Sequence, residues 1–364
     1  MPYNIKSIQT KLFNLPLNNP LLDSTHGLMR DFQLILTIIK DSHDNYGIGY
    51  TYTVGQNGHA ILNCIKHDFT NILIDEDPQK NEFIWNKLWW ASHYGGRGGP
   101  TSMAISAVDI AIWDLKAKQL NTPWWKLLGG NSNKITCYSG GIDLNLSIDE
   151  LLLNTEKKLK NGFNAIKMKV GKIKLSDDLE RVSEMKKFLG DDNSLMVDAN
   201  MKWTLDQAIT AIKKLSVYDL VWIEEPIIPD DLHGYQQIRK LTGHPIATGE
   251  NFKSPWEFSN FIINDALSYP EPDITACGGV TGFMKIAHFA ELYNLPVTSH
   301  GAHDLTVSLL SAVPNGKFLE IHGFGLEKFI KEDLKISNGY AECKNHPGHG
   351  VEFDLDKMSQ FEII

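Results

Sequence analysis

The feature that most constrains this chain is a series of eight short apolar runs after about residue 130. They are separated by roughly 20 to 30 residues, enough for one helix between each pair of parallel strands. This alternation predicts an α/β fold, a TIM-like (β/α) barrel of seven or eight units with its active site at the carboxyl ends of the strands. The runs cover residues 135–138, 165–170, 195–198, 221–224, 245–247, 267–273, 296–299 and 318–321.

The sequence before the barrel has a different pattern. Three strand-like stretches precede a segment with helical apolar spacing, which predicts a small α+β capping domain over residues 1–130. The barrel is expected to span 131–323, and the irregular, polar tail 324–364 is expected to return to the cap. The stretches are 5–13, 32–39 and 47–53, and the helical segment is 101–118.

Composition narrows the class of partner. The 364 residues carry a formal charge of -9, which argues against a nucleic-acid or anionic-membrane surface. The four cysteines are far apart, so a disulfide framework or a zinc cluster is not expected. No apolar run approaches the roughly 18 residues that a membrane-spanning helix needs. We expect a cytoplasmic enzyme with a small-molecule substrate and without nucleic-acid or membrane partners.

Ionisable side chains end seven successive runs, from the second to the eighth. In a barrel these positions converge on one pocket, and helix capping alone does not explain so regular a series. The residues are Lys167, Lys169, Asp198, Glu224, Glu250, Asp273, His300 and Glu320.

Three of these carboxylates, Asp198, Glu224 and Glu250, follow adjacent strands. They would repel one another in a confined site unless a cation lay between them. Oxygen ligands without thiolate or imidazole favour Mg²⁺, with Mn²⁺ as an alternative. We therefore predict a divalent metal site.

The remaining groups suit acid–base chemistry. Lys167 and Lys169 share one face of their strand, and we expect the crowding of two ammonium groups beside a divalent cation to lower a lysine pKa and supply a neutral amine as a base. Asp273 would fix the tautomer of His300 and raise its basicity. Glu320 would be a protonated carboxyl if burial raises its pKa.

These motifs resemble the enolase superfamily and, within it, the mandelate racemase subgroup; that superfamily is known to combine a Lys or His base with Mg²⁺. The resemblance covers nearly the whole chain. It implies that Lys169 is a base, that Lys167 contacts the substrate carboxylate, that Glu320 donates a hydrogen bond to an enediolate, and that the protein is a homo-oligomer. The matching motifs are Lys167-Met168-Lys169, Asp198-Ala199-Asn200, Glu224-Glu225-Pro226, Gly249-Glu250 and the Asp273/His300 dyad.

The same catalytic set serves several outcomes. We expect elimination from a polyhydroxylated carboxylate, first as an acid-sugar dehydratase of the galactarate or talarate type. Because residues 50–53, 96–99 and those after His300 resemble 3,6-anhydro-L-galactonate cycloisomerases, ring-opening by the same elimination is the alternative, and racemisation of a 2-hydroxy acid is third. Polar candidates for substrate contacts, partly in specificity loops 21–30 and 94–99, are His26, Arg30, Tyr52, Arg97, Asn200 and His303.

Three other classes fit less well. A binding barrel without catalysis would be expected to lack Lys169, His300 or a metal carboxylate. A muconate-lactonising or dipeptide-epimerising relative would carry a lysine at the end of the sixth strand, where Asp273 stands. A phosphate-binding barrel would have a glycine-rich loop after strands seven and eight, whereas residues 277–282 follow strand six.

Overall fold

The structure is a computed structural model that describes residues 3–322 and 326–364. It begins with an antiparallel sheet of strands β1 (Ile5–Leu22), β2 (Leu28–Asp41) and β3 (Tyr46–Thr53), in that order. All three predicted strands are present. The first two are longer than expected, and the turn between them includes part of the predicted specificity loop 21–30.

The helices after this sheet complete an α+β unit, and the predicted helix 101–118 is the core of its longest member. That helix packs directly on β3, because Gly47 and Gly49 have no side chain at the point of closest approach. The helices are α1 (Gly58–Asn63), α2 (Thr70–Leu73), α3 (Asn81–Ala91), α4 (Pro100–Gln119) and α5 (Trp124–Leu127), with a π-helical turn at Cys64–Phe69.

Seven of the eight predicted barrel strands are regular strands. They pair in parallel in chain order from β4 to β9, and β10 pairs with β4. The strands are β4 (Lys134–Gly140), β5 (Ala165–Lys169), β6 (Ser194–Asp198), β7 (Ile223–Glu224), β8 (Ile246–Thr248), β9 (Tyr269–Pro270) and β10 (Leu319–Ile321).

The predicted seventh run, 296–299, is irregular, as the alternative of seven strands plus one irregular element allowed. Its backbone still links both neighbours: the Thr298 N–H donates to the Pro270 carbonyl over 3.1 Å, and Lys317 N–H donates to the Val297 carbonyl over 2.8 Å. The run therefore lies between β9 and β10 and carries its side chains to the same end of the sheet.

Four of the described helices between the strands, those that begin at residues 148, 205, 232 and 255, have a side-chain cap at their start. Ser147 and Thr204 form capping boxes with Glu150 and Gln207. These caps satisfy amide groups that would otherwise have no partner at the helix starts. The helices are α6 (Ile148–Lys160), α7 (Leu175–Leu189), α8 (Leu205–Leu215), α9 (Leu232–Thr242), α10 (Pro255–Ile263), α11 (Gly279–Leu292) and α12 (His303–Leu310).

The tail returns to the cap at several points, but one hairpin within it joins the barrel sheet. The hairpin of β11 (Lys335–Ser337) and β12 (Tyr340–Glu342) extends the barrel sheet by pairing with β4, and α13 (Leu355–Met358) follows. The last residues do reach the first sheet, where Ile363 N–H donates to the Leu12 carbonyl over 2.8 Å. The expected boundary at 323–324 lies outside the described residues.

Aromatic side chains fill the barrel interior at the amino ends of the strands. Tyr138, Trp222 and Phe318 pack edge to face, with ring centroids 5.4 to 6.3 Å apart, and Tyr269 lies against Trp222. Because aromatic side chains occupy the amino ends of the strands, the polar groups of the barrel interior lie at the carboxyl ends. In the described ranges, no helix is both long and apolar enough to cross a membrane.

The contact between β3 and α4 predicts a sharp requirement at Gly49. A Cβ atom there would overlap the Ala107 carbonyl and the Ala111 amide, so we expect Gly49→Ala to destabilise the fold by about 1–3 kcal/mol. Urea denaturation would measure the loss. Gly95→Ala is the matched control, because nothing lies within 4 Å of its Cβ position; equal stability of the two variants would contradict the packing argument.

Candidate active site

The strand register brings three of the predicted groups side by side. Lys169 on β5 pairs with Asp198 on β6, and Asp198 pairs with Glu224 on β7. The Lys169 Nζ lies 2.5 Å from Asp198 Oδ2. One layer deeper, Lys167 Nζ lies 2.5 Å from Glu224 Oε1 and 2.7 Å from Glu320 Oε1. All five side chains are buried, so each charge depends on its neighbours.

The three predicted metal ligands form one cluster. Oxygen atoms of Asp198, Glu224 and Glu250 all lie within 4.8 Å of one another. All the donor atoms are carboxylate oxygens. Glu250 is only partly buried, so the cluster is open on its side toward a cavity between the cap and the barrel. This donor set fits a hard divalent cation such as Mg²⁺.

The pKa values of both lysines are raised in this structure. Burial alone would lower them, but Asp198 holds the pKa of Lys169 above its usual range, and Glu224 and Glu320 do the same for Lys167. In this arrangement the neighbouring carboxylates outweigh the crowding of the two ammonium groups, and the lysine pKa expected to be lowered beside a divalent cation stays a prediction. Burial, with Asp198 nearby, raises the pKa of Glu224 to about 8.

Glu320 also departs from the predicted protonated state. Burial would raise its pKa, but the neighbouring Lys167 ammonium holds it below the usual range. Its Oε2 accepts a hydrogen bond from the Gly301 N–H over 3.2 Å. Glu320 is thus a carboxylate paired with Lys167 in this structure, and the raised pKa expected from burial does not occur.

The predicted dyad is present. Asp273 Oδ2 lies 3.0 Å from His300 Nδ1, which fixes the proton of the neutral imidazole on Nδ1. The other ring nitrogen, Nε2, lies 3.4 Å from Glu250 Oε2. Burial would lower the pKa of His300, but Glu250 and Asp273 together raise it to about 10.

A cavity of about 160 Å³ lies between the cap and these groups. Among the predicted substrate contacts, His26, Tyr52 and Asn200 line it, together with Lys169, Glu250, Asp273 and His300. Arg30, Arg97 and His303 are not among its lining residues. The Arg30 side chain is exposed on β2. The guanidinium carbon of Arg97 lies 4.7 Å from the centre of the Trp89 ring. His303 Nε2 lies 3.8 Å from Asp304 Oδ1 at the start of α12.

Several residues that line the cavity are not predicted from the sequence. His322 packs against His300, with ring centroids 5.7 Å apart, and burial lowers its pKa to about 3. It stands two residues after Glu320, the same spacing that singled out the two lysines, and this signal could have found it. The Asp23 carboxylate lies 2.8 Å from His26 Nδ1, and Asn251, which directly follows Glu250 in the sequence, donates from Nδ2 to the Glu225 carboxylate.

Comparison with known families decides the class of this site. A model described as "Enolase C-terminal domain-like" matches residues 151–357, more than half of the chain. The N-terminal domain model of mandelate racemase / muconate lactonizing enzyme matches residues 8–129. The chain belongs to the mandelate racemase / muconate lactonizing enzyme family. The predicted resemblance to the enolase superfamily is confirmed.

Individual relatives of this family align over almost the whole chain. A 3,6-anhydro-alpha-L-galactonate cycloisomerase from Streptomyces coelicolor is 46% identical over 99% of both chains. An L-talarate/galactarate dehydratase from Salmonella typhimurium is 33% identical over 98% of this chain and 90% of its own.

Solved structures of family members share the fold. A racemase from Streptomyces coelicolor with bound magnesium superimposes with a TM-score of 0.96 at 45% identity, covering 99% of this chain and 100% of its own. An L-talarate dehydratase from Polaromonas, complexed with Mg and L-glucarate, gives 0.94 at 32% identity, with 99% and 98% coverage. The predicted architecture of a capped barrel is confirmed.

The carboxylate cluster predicts stabilisation by Mg²⁺. A ligand in hundredfold excess over its dissociation constant stabilises the folded state by about 2.7 kcal/mol. We expect Mg²⁺ to raise the unfolding midpoint of the chelator-treated wild type, and Glu250→Gln to lose most of that rise. Glu291→Gln, an exposed carboxylate on α11, is the control. An equal rise in Glu250→Gln and the wild type would contradict the ligand assignment.

Proposed function

We propose that this chain removes the proton α to the carboxylate of a sugar acid, in the presence of Mg²⁺, and expels a β-oxygen substituent from the resulting enediolate. The observation that carries the proposal is the convergence of three groups on one cavity. These are the Asp198–Glu224–Glu250 cluster, the Lys169 amine and the Asp273–His300 dyad. Each supplies a different requirement of an enolising elimination.

A divalent cation at the carboxylate cluster supplies neutralisation of the substrate carboxylate and of the charge that develops as the α-proton leaves. If Asp198 were bound to that cation, its charge would no longer raise the pKa of Lys169, and the Lys169 amine could accept a proton. Lys167, one layer deeper, holds Glu224 and Glu320 in place.

His300 supplies the second proton-transfer group. It enters between β9 and β10, whereas Lys169 enters from β5, so the two reach the cavity from well-separated strands. Because His300 Nδ1 is hydrogen-bonded to Asp273, Nε2 is the ring nitrogen that can exchange a proton with the substrate. One group can take the α-proton while the other protonates the departing oxygen.

The leaving group distinguishes the two outcomes expected from the sequence. The 46% identity to a 3,6-anhydro-alpha-L-galactonate cycloisomerase over 99% of both chains favours the ring oxygen of an anhydro sugar acid. The 33% identity to an L-talarate/galactarate dehydratase supports loss of a hydroxyl group from an open-chain acid as the second candidate. In both cases Asn200, whose buried Oδ1 finds no partner among the described residues, would accept a hydrogen bond from a substrate hydroxyl.

The homo-oligomeric state and the cytoplasmic location stay predictions from the sequence.

The two-group assignment predicts severe losses on substitution. Lys169→Ala and His300→Asn should each lower kcat by about 10²- to 10⁴-fold, because a positioned acid or base contributes about that much. Circular dichroism would check that both variants fold. The exposed Lys213→Ala is the matched control and should keep full activity; near-normal turnover in both site variants would refute the assignment.

A substrate panel tests the reaction itself. The purified enzyme with Mg²⁺ would be incubated with 3,6-anhydro-L-galactonate, galactarate and talarate in deuterated water, and the products followed by NMR. Keto product from the anhydro acid identifies ring-opening, and keto product from an open-chain diacid identifies dehydration. Deuterium at the α-carbon without keto product would replace elimination with racemisation or epimerisation. No reaction of either kind would refute the proposed function.

A further inference from the structure

The cap contributes a hydroxyl group to the dyad. The Tyr52 side chain, on β3, donates from its OH to Asp273 Oδ2 over 2.8 Å. That same oxygen accepts the hydrogen bond from His300 Nδ1. The sequence predicts Tyr52 as a substrate contact, but the structure directs its hydroxyl to the carboxylate that orients the histidine.

The Asp273 carboxylate is held by donors on both oxygens. Its Oδ1 accepts from the Thr275 N–H and from the Thr275 hydroxyl, each over 2.7 Å, and its Oδ2 accepts from Tyr52 and His300. Asp273 is only 4% exposed, so water cannot readily replace a lost donor. Thr275 fixes one oxygen, and Tyr52 is the group that fixes the other against the histidine.

The residue after the histidine leaves room for this contact. Gly301 has φ +53, a conformation that favours glycine, and a Cβ atom there would overlap the Tyr52 hydroxyl. The chain therefore combines a tyrosine on the cap with a glycine next to His300. Both features serve the same approach of the hydroxyl to the dyad.

The cap also holds the chain that follows Asp273. Thr51, next to Tyr52, donates to the Thr275 carbonyl over 2.7 Å, and the Ser106 hydroxyl on α4 accepts from the Gly278 N–H over 2.9 Å. Further along, Asp109 accepts from the Thr281 N–H over 2.8 Å. These contacts keep β3 and Asp273 in one fixed relation, so the Tyr52 hydrogen bond does not depend on a mobile loop.

We propose that Tyr52 is a positioning residue for the Asp273–His300 dyad: its hydroxyl holds the Asp273 carboxylate in the orientation that keeps His300 Nε2 directed at the substrate. This role rests on the proposed function, because it assumes that His300 transfers a proton. Its structural part, the control of His300 by Tyr52, can be tested without any substrate.

The first test compares Tyr52→Phe with Tyr50→Phe. Tyr50 lies on the same strand, and its buried hydroxyl has no partner in the described part of the chain, so the control removes the same atom without touching the dyad. In protein with ¹⁵N-labelled histidine at fixed pH, the His300 ring N–H resonance would be assigned by its loss in His300→Asn. We expect it to shift or broaden in Tyr52→Phe and to stay unchanged in Tyr50→Phe. An unchanged resonance in Tyr52→Phe would overturn the positioning role.

The second test measures kinetics on a substrate identified by the panel. Tyr52→Phe should lower kcat about tenfold, the loss expected for one hydrogen bond to a charged group, and change KM less than about twofold. Added to Asp273→Asn, it should cause little further loss of the residual rate, since both act through the same carboxylate. Losses that multiply, or an effect confined to KM, would show a direct substrate contact and overturn the role. If the wild type turns over no sugar acid, the proposed function fails, while the resonance comparison still decides whether Tyr52 positions the dyad.

Discussion

The site depends on how buried charges are compensated at the carboxyl ends of adjacent strands. The register of β5, β6 and β7 sets Lys169, Asp198 and Glu224 in a row, with Lys167 one layer deeper. Removing one member would leave another charge buried without a partner, which is strongly destabilising. The site carries more carboxylates than ammonium groups, and this excess of negative charge makes the cluster responsive to a divalent cation.

The second half of the site depends on the cap. The Asp273–His300 dyad lies where the barrel strands are short or irregular: β9 has two residues, and the run with His300 makes, among the described residues, only two backbone hydrogen bonds on each side. In place of a long sheet, side chains of β3 and α4 fix this part of the barrel. One half of the site is thus built by strand register, and the other half by contacts between the cap and the barrel.

Much of this arrangement could be predicted from the sequence, because apolar runs and the charges that end them are local patterns. Lys169, Asp198, Glu224 and His300 follow that rule, and the structure brings them together. The pKa directions of Lys169 and Glu320 could not be predicted, since they depend on which opposite charge lies nearest in space. Which polar residues of the cap line the cavity could not be predicted for a similar reason: Arg97 is as polar as His26, and only the fold shows that its guanidinium lies against the Trp89 ring.

The aromatic layer beneath the site has a consequence for how the barrel exchanges protons with solvent. Trp222 both closes the amino end and donates to Glu224 Oε2 over 3.0 Å, while Lys167 Nζ lies 5.5 Å from the centre of the Tyr138 ring. The aromatic layer therefore closes the barrel interior at its amino end, and the interior is open at its carboxyl end. In the proposed reaction, a proton that Lys169 gives up to bulk water would leave through the cavity on the cap side, so a bound substrate would separate Lys169 from solvent until the product leaves.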